Sequence, residues 1–272
     1  MAEKGRHLAG RDAVRSGPLF TPPQMPRHEY LRAARQNGSA CGLAIAACIL
    51  VAWVAALRMS LFSAQVADGP LALWLLSSTA TAWLYTAVFI TAHEAMHGLV
   101  CPDWPRVNHA IGWLCARSFA HLDYRVLIHA HWAHHRSPAQ PGLDPDFHDG
   151  VHRGFARWFA SFMLGYLSAD QLVSMAFSCW LLAAVLSPTR VLVGWVLPLC
   201  ASSMQLFFFG TYLPHREPDL AGVPYADHHR ARSKYTWCSA VHVATCLNFG
   251  LHHEHHALPF VPWWRLHTVR FD

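Results

Sequence analysis

The sequence predicts an all-α integral membrane protein, with four transmembrane helices and a cytoplasmic histidine-rich cap for two metal ions. Three observations predict it. Only 14% of the 272 residues are charged while 53% are hydrophobic, whereas a soluble domain carries about 25% charged residues. The apolar residues come in uncharged runs, and 20 or so residues at 1.5 Å each span a hydrocarbon layer of about 30 Å. The 21 histidines all fall outside those runs, one of them at a run's very end.

Residues 1–38 are basic, with Lys4, Arg6, Arg11, Arg15, Arg27, Arg32 and Arg35, and lack a hydrophobic period. They read as a partly disordered tail whose positive charge holds the N-terminus on the cytoplasmic side. The first apolar run begins near Cys41 with no cleavage signature after it, so no signal peptide is expected. From residue 39 to 272 the chain reads as one membrane domain. Residues 39–57 and 71–92 are the first two predicted spans. The second runs without a breaker into His93-Glu94-Ala95-Met96-His97, which places His93 at or just past the membrane face.

Residues 98–154 are polar and rich in Pro, Asp and His, with one short apolar piece from Ile111 to Ala120. Residues 171–187 and 191–213 are two further spans, joined by the tight turn Ser187-Pro188-Thr189-Arg190. Residues 214–272 are polar and His-rich again. Four spans place both His-rich regions on the cytoplasmic side. Those regions hold eleven Lys and Arg, against only Arg58 and Arg190 in the opposite turns, as the positive-inside rule requires.

Lys plus Arg exceed Asp plus Glu by only 21 to 16, a balance that fits anionic lipid and not nucleic acid. The eight cysteines form no Cys-x-x-Cys pair. They read as small buried residues in a reducing compartment, and exclude a disulfide framework.

One-sided topology gathers the histidine clusters into a single place. His93 and His97 are i,i+4 and share a helical face. His131, His134 and His135 are i,i+3,i+4, and His252, His255 and His256 repeat that spacing. His129 and His253 point away from these faces. His215 directly follows the last span. A lone histidine is more often a surface or satisfied core group, which is the reading for His109, His121, His148, His152, His242 and others. Two triads and a pair on one membrane face are metal ligands. Nine imidazoles exceed the three or four ligands of one zinc ion and suit two metals with open positions, iron being favoured by nitrogen ligands with room for O₂. Glu94, Asp144, Asp146 and Glu254 lie beside these clusters, where a carboxylate can accept a ligand's second N–H. Trp104, Trp113, Trp263 and Trp264 either line a tunnel for a flat apolar substrate or form an interfacial belt.

Five segments together resemble a known family: His93-Glu94-Ala95-Met96-His97-Gly98, His131-Trp132-Ala133-His134-His135-Arg136, Asp144-Pro145-Asp146-Phe147, Phe209-Gly210-Thr211-Tyr212-Leu213-Pro214-His215-Arg216, and Phe249-Gly250-Leu251-His252 through His256 running into Pro262-Trp263-Trp264-Arg265-Leu266. They resemble the membrane fatty-acid desaturase superfamily and, within it, the bacterial β-carotene 4-ketolases, over about residues 40–270. The resemblance implies an oxygenase with two iron ions, using O₂ as co-substrate and electrons from a ferredoxin-like donor, in a bacterial inner membrane. Its reaction would introduce a keto group at C4 of a β-ionone ring in two oxidations, taking the lipid-soluble β-carotene to echinenone and canthaxanthin. The implied ligands are His93, His97, His131, His134, His135, His215, His252, His255 and His256, with Asp146 and Glu254 handling protons beside them. A fatty-acyl desaturase or hydroxylase would share every ligand. The string His93-Glu94-x-x-His97 also matches an intramembrane zinc protease, which leaves both triads unexplained.

Overall fold

The computed structural model describes residues 25–63, 66, 69–216, 230–233 and 239–269. Among these every regular element is helical. Most of the expected basic tail, residues 1–24, lies outside the described residues. Its last part is a helix, α1, Arg27–Arg35. Tyr30 and Ala34 are i,i+4 and both buried, so one face of α1 docks while its arginines stay outside.

The first span, α2, is Ser39–Phe62, and the second, α3, is Leu71–Met96. α2 carries one charge, Arg58, which the helix takes in near its end, and α3 carries none before His93; neither contains a proline, so the backbone satisfies itself within each helix as a bilayer requires. The outer half of α3 is exposed at Leu71, Leu75 and Leu76, while its last twelve residues are almost all buried. Lipid-facing side chains thus give way to packed ones toward the histidine end. Helix α4, Pro105–Ser118, packs back onto α3, and α5 is Tyr124–Arg136. Asp123 caps α5 by accepting the Arg125 N–H at 2.9 Å.

Helices α6, Phe155–Tyr166, and α7, Ala169–Val185, bend by 95° at their junction. Leu167 turns extended and ends the first, and Ser168 caps the next, its hydroxyl accepting the Gln171 N–H at 3.1 Å. This revises the third expected span. The 17 residues of α7 reach only about 26 Å at 1.5 Å each, short of a full crossing. Three helices are long and apolar enough to cross a membrane, or four if the bent pair crosses as one.

The last span, α8, is Pro188–His215. It begins where the tight turn was expected, with Ser187 as its cap and Pro188 at the first position. Two π turns interrupt it, Leu192–Val196 and Phe208–Tyr212. The sequence explains both. Gly194 lies four residues before Pro198, and Gly210 four before Pro214. A proline ring collides with the carbonyl at i−4, and a widened turn relieves the collision. Each glycine also permits a close approach. A Cβ on Gly194 would lie 3.0 Å from the Ser60 carbonyl oxygen of α2, and one on Gly210 only 2.0 Å from Cε1 of Phe249. Inside the bundle, the Thr86 hydroxyl donates to Gln205 Oε1 at 3.0 Å and sits 2.8 Å from the Ser202 hydroxyl, clasping α3 to α8.

Short helices α9, Ser239–Cys246, α10, His252–Ala257, and α11, Trp263–Leu266, complete the cap.

Candidate metal centre

Four elements converge at the C-terminal ends of α3 and α8. The end of α3 carries His93 and His97, α5 carries His131, His134 and His135, α8 ends on His215, and α10 carries His252, His255 and His256. All nine are at most 9% exposed. They resolve into two tetrads. His93, His97, His131 and His255 form one, and His134, His215, His252 and His256 form the other, with ligating atoms within 4.8 Å of one another in each.

Each i,i+3,i+4 triad therefore divides between tetrads instead of serving one. On α5, His131 joins the first and His134 the second; on α10, His255 joins the first while His252 and His256 join the second. His135 lies between them. Its Nε2 is 3.1 Å from His255 Nε2, and its ring stacks on His256 at 4.4 Å. His129 and His253, set aside on helical geometry, belong to neither tetrad.

The ring nitrogens are set for a cation. His134 donates Nδ1–H to Asp144 Oδ2 at 2.9 Å. His215 donates Nδ1–H to the Arg230 carbonyl at 2.8 Å. Glu94 Oε1 lies 3.3 Å from His93 Nδ1, and the Tyr30 oxygen 3.4 Å from His97 Nδ1. With Nδ1 carrying the proton, each Nε2 offers a lone pair. Inside the tetrads, Nε2 atoms approach one another at 2.7 Å (His97 and His131) and 3.0 Å (His134 and His256, His252 and His256). Two nitrogens about 2.1 Å from one cation and at right angles lie about 3.0 Å apart. His93 Nε2 and His215 Nε2 are buried with no hydrogen-bond partner among the described residues. A buried acceptor left unpaired is costly, and a cation at each tetrad removes the cost. The residues present therefore fit two metal ions.

Burial, then neighbouring imidazoles, lowers the pKa of His97, His131, His135, His252, His255 and His256. These rings are neutral near pH 7, as ligands must be. His134 differs. Burial pulls its pKa down, but the Asp144 carboxylate outweighs burial and raises it. Asp144 itself is lowered, since His134 overcomes the opposing effect of burial. A metal ion bound there would take the place of the proton on His134 Nε2.

His134, Asp144 and Asp146 also lie within ligand range of one another. Asp144 is already committed, accepting from His134 Nδ1 and the Ala139 N–H on Oδ2 and from the Asp146 N–H on Oδ1, at 2.8–2.9 Å. This group supports the second tetrad and is not a third site. Burial pushes Asp146 up to about 6 against its interactions with His134 and the Tyr166 hydroxyl, which donates to it. Glu254 is buried and accepts from the Ser233 hydroxyl, whose oxygen also accepts the His253 N–H at 3.2 Å. It joins neither tetrad.

A cavity has His93, His131, His134 and His252 in its lining, and so opens onto both tetrads. Phe89 of α3, Phe162 of α6 and Leu206 and Phe207 of α8 wall it, and Asp146 and Tyr166 face it. Trp104, Trp113, Trp263 and Trp264 are not in this wall. Trp104 and Trp113 are 60% and 55% exposed, matching the interfacial-belt reading of the two. Phe249 packs on His93 at 4.8 Å and on His252 at 5.3 Å, and so touches both tetrads from the cavity side. Nothing in the histidine spacing pointed to Tyr30 or to the Arg230 carbonyl, which reach the site from distant parts of the chain.

The protease reading fails on this geometry. His93 and His97 enter a tetrad completed by two more histidines. Glu94 is turned to His93 Nδ1 and to the Trp263 N–H at 3.4 Å.

A family model described as fatty acid desaturase matches residues 68–177 and 166–270. A beta-carotene ketolase of a Paracoccus species is 38% identical over 234 residues, 85% of this chain and 93% of that protein. A beta-carotene ketolase of Haematococcus lacustris is 39% identical over 191 residues, 69% of this chain and 59% of that protein. A zeaxanthin 4-ketolase of Chlamydomonas reinhardtii is 34% identical over 244 residues, 84% of this chain. The chain spans only 59% and 53% of the two algal relatives. A desaturase-family match across some three-quarters of the sequence and the two buried histidine tetrads converge on one assignment: the chain belongs to the fatty acid desaturase family.

Proposed function

We propose that the protein is a carotenoid 4-ketolase, converting the C4 methylene of a β-ionone ring to a ketone, with β-carotene going to echinenone and canthaxanthin. The observation that carries this reading is the apolar cavity, walled by spanning helices and opening onto both tetrads. The ketolase names of the relatives point the same way.

Two irons held by the tetrads would supply O₂ activation, with electrons from a ferredoxin-like donor. Eight buried imidazoles favour a transition metal over calcium or magnesium. Two such oxidations at one carbon, each consuming one O₂, two electrons and two protons and releasing one water, give a geminal diol. Loss of a further water leaves the ketone.

The chain's residues do the rest. Asp144, Glu94 and the Arg230 carbonyl fix ring tautomers and so aim Nε2. The phenylalanine wall excludes water and holds the ring flat against the histidines. Asp146, facing the cavity and sharing a proton network with Tyr166, moves protons at its carboxylate oxygens. Glu254 ties α10 to the segment carrying Ser233. The eleven basic residues of the His-rich regions support a cytoplasmic cap in a bacterial inner membrane.

The test is expression in β-carotene-producing bacteria with chromatography of the pigments. Echinenone and canthaxanthin are expected. Unchanged pigment together with altered acyl chains would instead identify an acyl desaturase.

A further inference from the structure

The helix before the first span lies outside the residues matched by the family model, which begin at 68. It nevertheless reaches the metal centre. Tyr30 of α1 is 0% exposed and reaches three of the four histidine-bearing stretches. Its hydroxyl donates to the Pro259 carbonyl at 2.8 Å and lies 3.0 Å from the His97 carbonyl. Its oxygen is 3.4 Å from His97 Nδ1. Its ring packs edge-on against Trp132, between His131 and His134, at 5.9 Å, and against Phe260, just past α10, at 6.1 Å.

We propose that Tyr30 is a positioning residue for the first tetrad, holding His97 as its Nδ1–H tautomer and locking the ends of α3, α5 and α10 in register. The hydrogen-bond directions carry this. A phenol has one proton, and carbonyls at 2.8 and 3.0 Å can only accept it. What the phenol presents to His97 Nδ1 is therefore a lone pair, and an acceptor there fixes the proton on Nδ1. His97 Nε2 is then left as a lone pair facing His131 Nε2 at 2.7 Å. Without the hydroxyl, nothing described fixes that proton, and an Nε2–H tautomer cannot bind metal through Nε2, the atom that faces His131. Ligand-orienting partners typically contribute 10–100-fold to metal affinity. The single tyrosine does this for a ligand 67 residues away while also tying down a carbonyl 229 residues away.

A second tie isolates the hydroxyl's role. Asn37 donates to the Phe260 carbonyl at 2.9 Å and accepts from Arg265 at 2.8 Å. It anchors the same segment to the same stretch without touching His97.

The inference rests on the two-iron reading, and the experiment separates the two. Full-length protein is purified in detergent, loaded with ferrous iron and challenged with a chelator, and metal per chain is followed over time. Tyr30→Phe keeps both ring contacts and removes only the hydroxyl. It should release one of its two irons 10–100-fold faster than wild type and keep the other. Asn37→Ala should lower the melting temperature and leave both release rates unchanged. A wild-type chain that takes up no iron would sink the two-iron reading itself. Two irons in wild type with unchanged release in Tyr30→Phe would overturn the role of Tyr30 alone. Equal metal loss in Tyr30→Phe and Asn37→Ala would assign the effect to docking of α1, and would equally overturn it.

Discussion

Replacing Asp144 with alanine tests how the second tetrad is held. The carboxylate accepts three hydrogen bonds, from His134 Nδ1 at 2.9 Å and from the Ala139 and Asp146 N–H groups at 2.8 and 2.9 Å. The two backbone donors lie in part-buried surroundings, where water can replace the carboxylate. The bond to His134 is different. Both side chains are at most 4% exposed, and a hydrogen bond to a charged group is worth about 1.5–3 kcal/mol. Losing a group that orients a metal ligand lowers affinity about 10–100-fold, or about 1.4–2.8 kcal/mol. The two ranges agree, so Asp144→Ala should weaken the second tetrad by one to two orders of magnitude. Asp144→Asn should cost less, because its amide oxygen can still accept from His134 while its NH₂ meets a second donor. Chelator titration of iron-loaded protein, with metal counted per chain, reads the effect. The second site should empty first and leave one metal in the first tetrad. Simultaneous release of both metals, or wild-type retention, would refute the division of labour drawn from the geometry.

Further expectations follow from the same contacts. His255→Ala removes one of four ligands and the neighbour of His135 Nε2; it should lower metal content by about one per chain and abolish pigment conversion while helicity by circular dichroism is retained. Gly210→Ala places a methyl 2.0 Å from Phe249 Cε1, so Phe249 must leave its place against His93 and His252. Overpacking of this kind costs about 1–3 kcal/mol, and a lowered melting temperature with reduced conversion is expected; an unchanged melting curve would contradict the close approach. Tyr166→Phe removes the donor that favours the charged form of Asp146, whose pKa burial has already raised to about 6. The pKa should rise further, moving the acid limb of the pH–activity profile to higher pH, and an unmoved limb would remove Asp146 from proton handling.

The spans were legible because a bilayer imposes length and apolarity directly on the sequence, as in Ser39–Phe62 and Leu71–Met96. The start of α8 was legible too, since Ser187-Pro188 is a cap followed by a residue that suits a first helical turn. The third span was read too simply. Periodicity does not reveal that one helix ends at Leu167 and Ser168 caps another at 95° to it. Tyr30 stayed hidden because a lone aromatic among arginines looks like a tail residue until its carbonyl partners are placed beside it.

Sequence alone pointed to nine histidines gathered at one end of the spans, eight of which the fold brings into the two tetrads, His135 lying between them. Imidazoles were excluded from every apolar run, and spacing set which of them share a helical face. Tertiary structure decided which tetrad each one joins. On a helix, positions i and i+3 lie about 60° apart and i+4 about 40° to the other side, so one face is wide enough to border two sites. Only the packing of α5 against α10 sends His131 and His255 to one tetrad and His134, His252 and His256 to the other. The partners that fix ring protons, from Tyr30 to Arg230, are likewise far away in sequence, and only the folded chain brings them within hydrogen-bond reach.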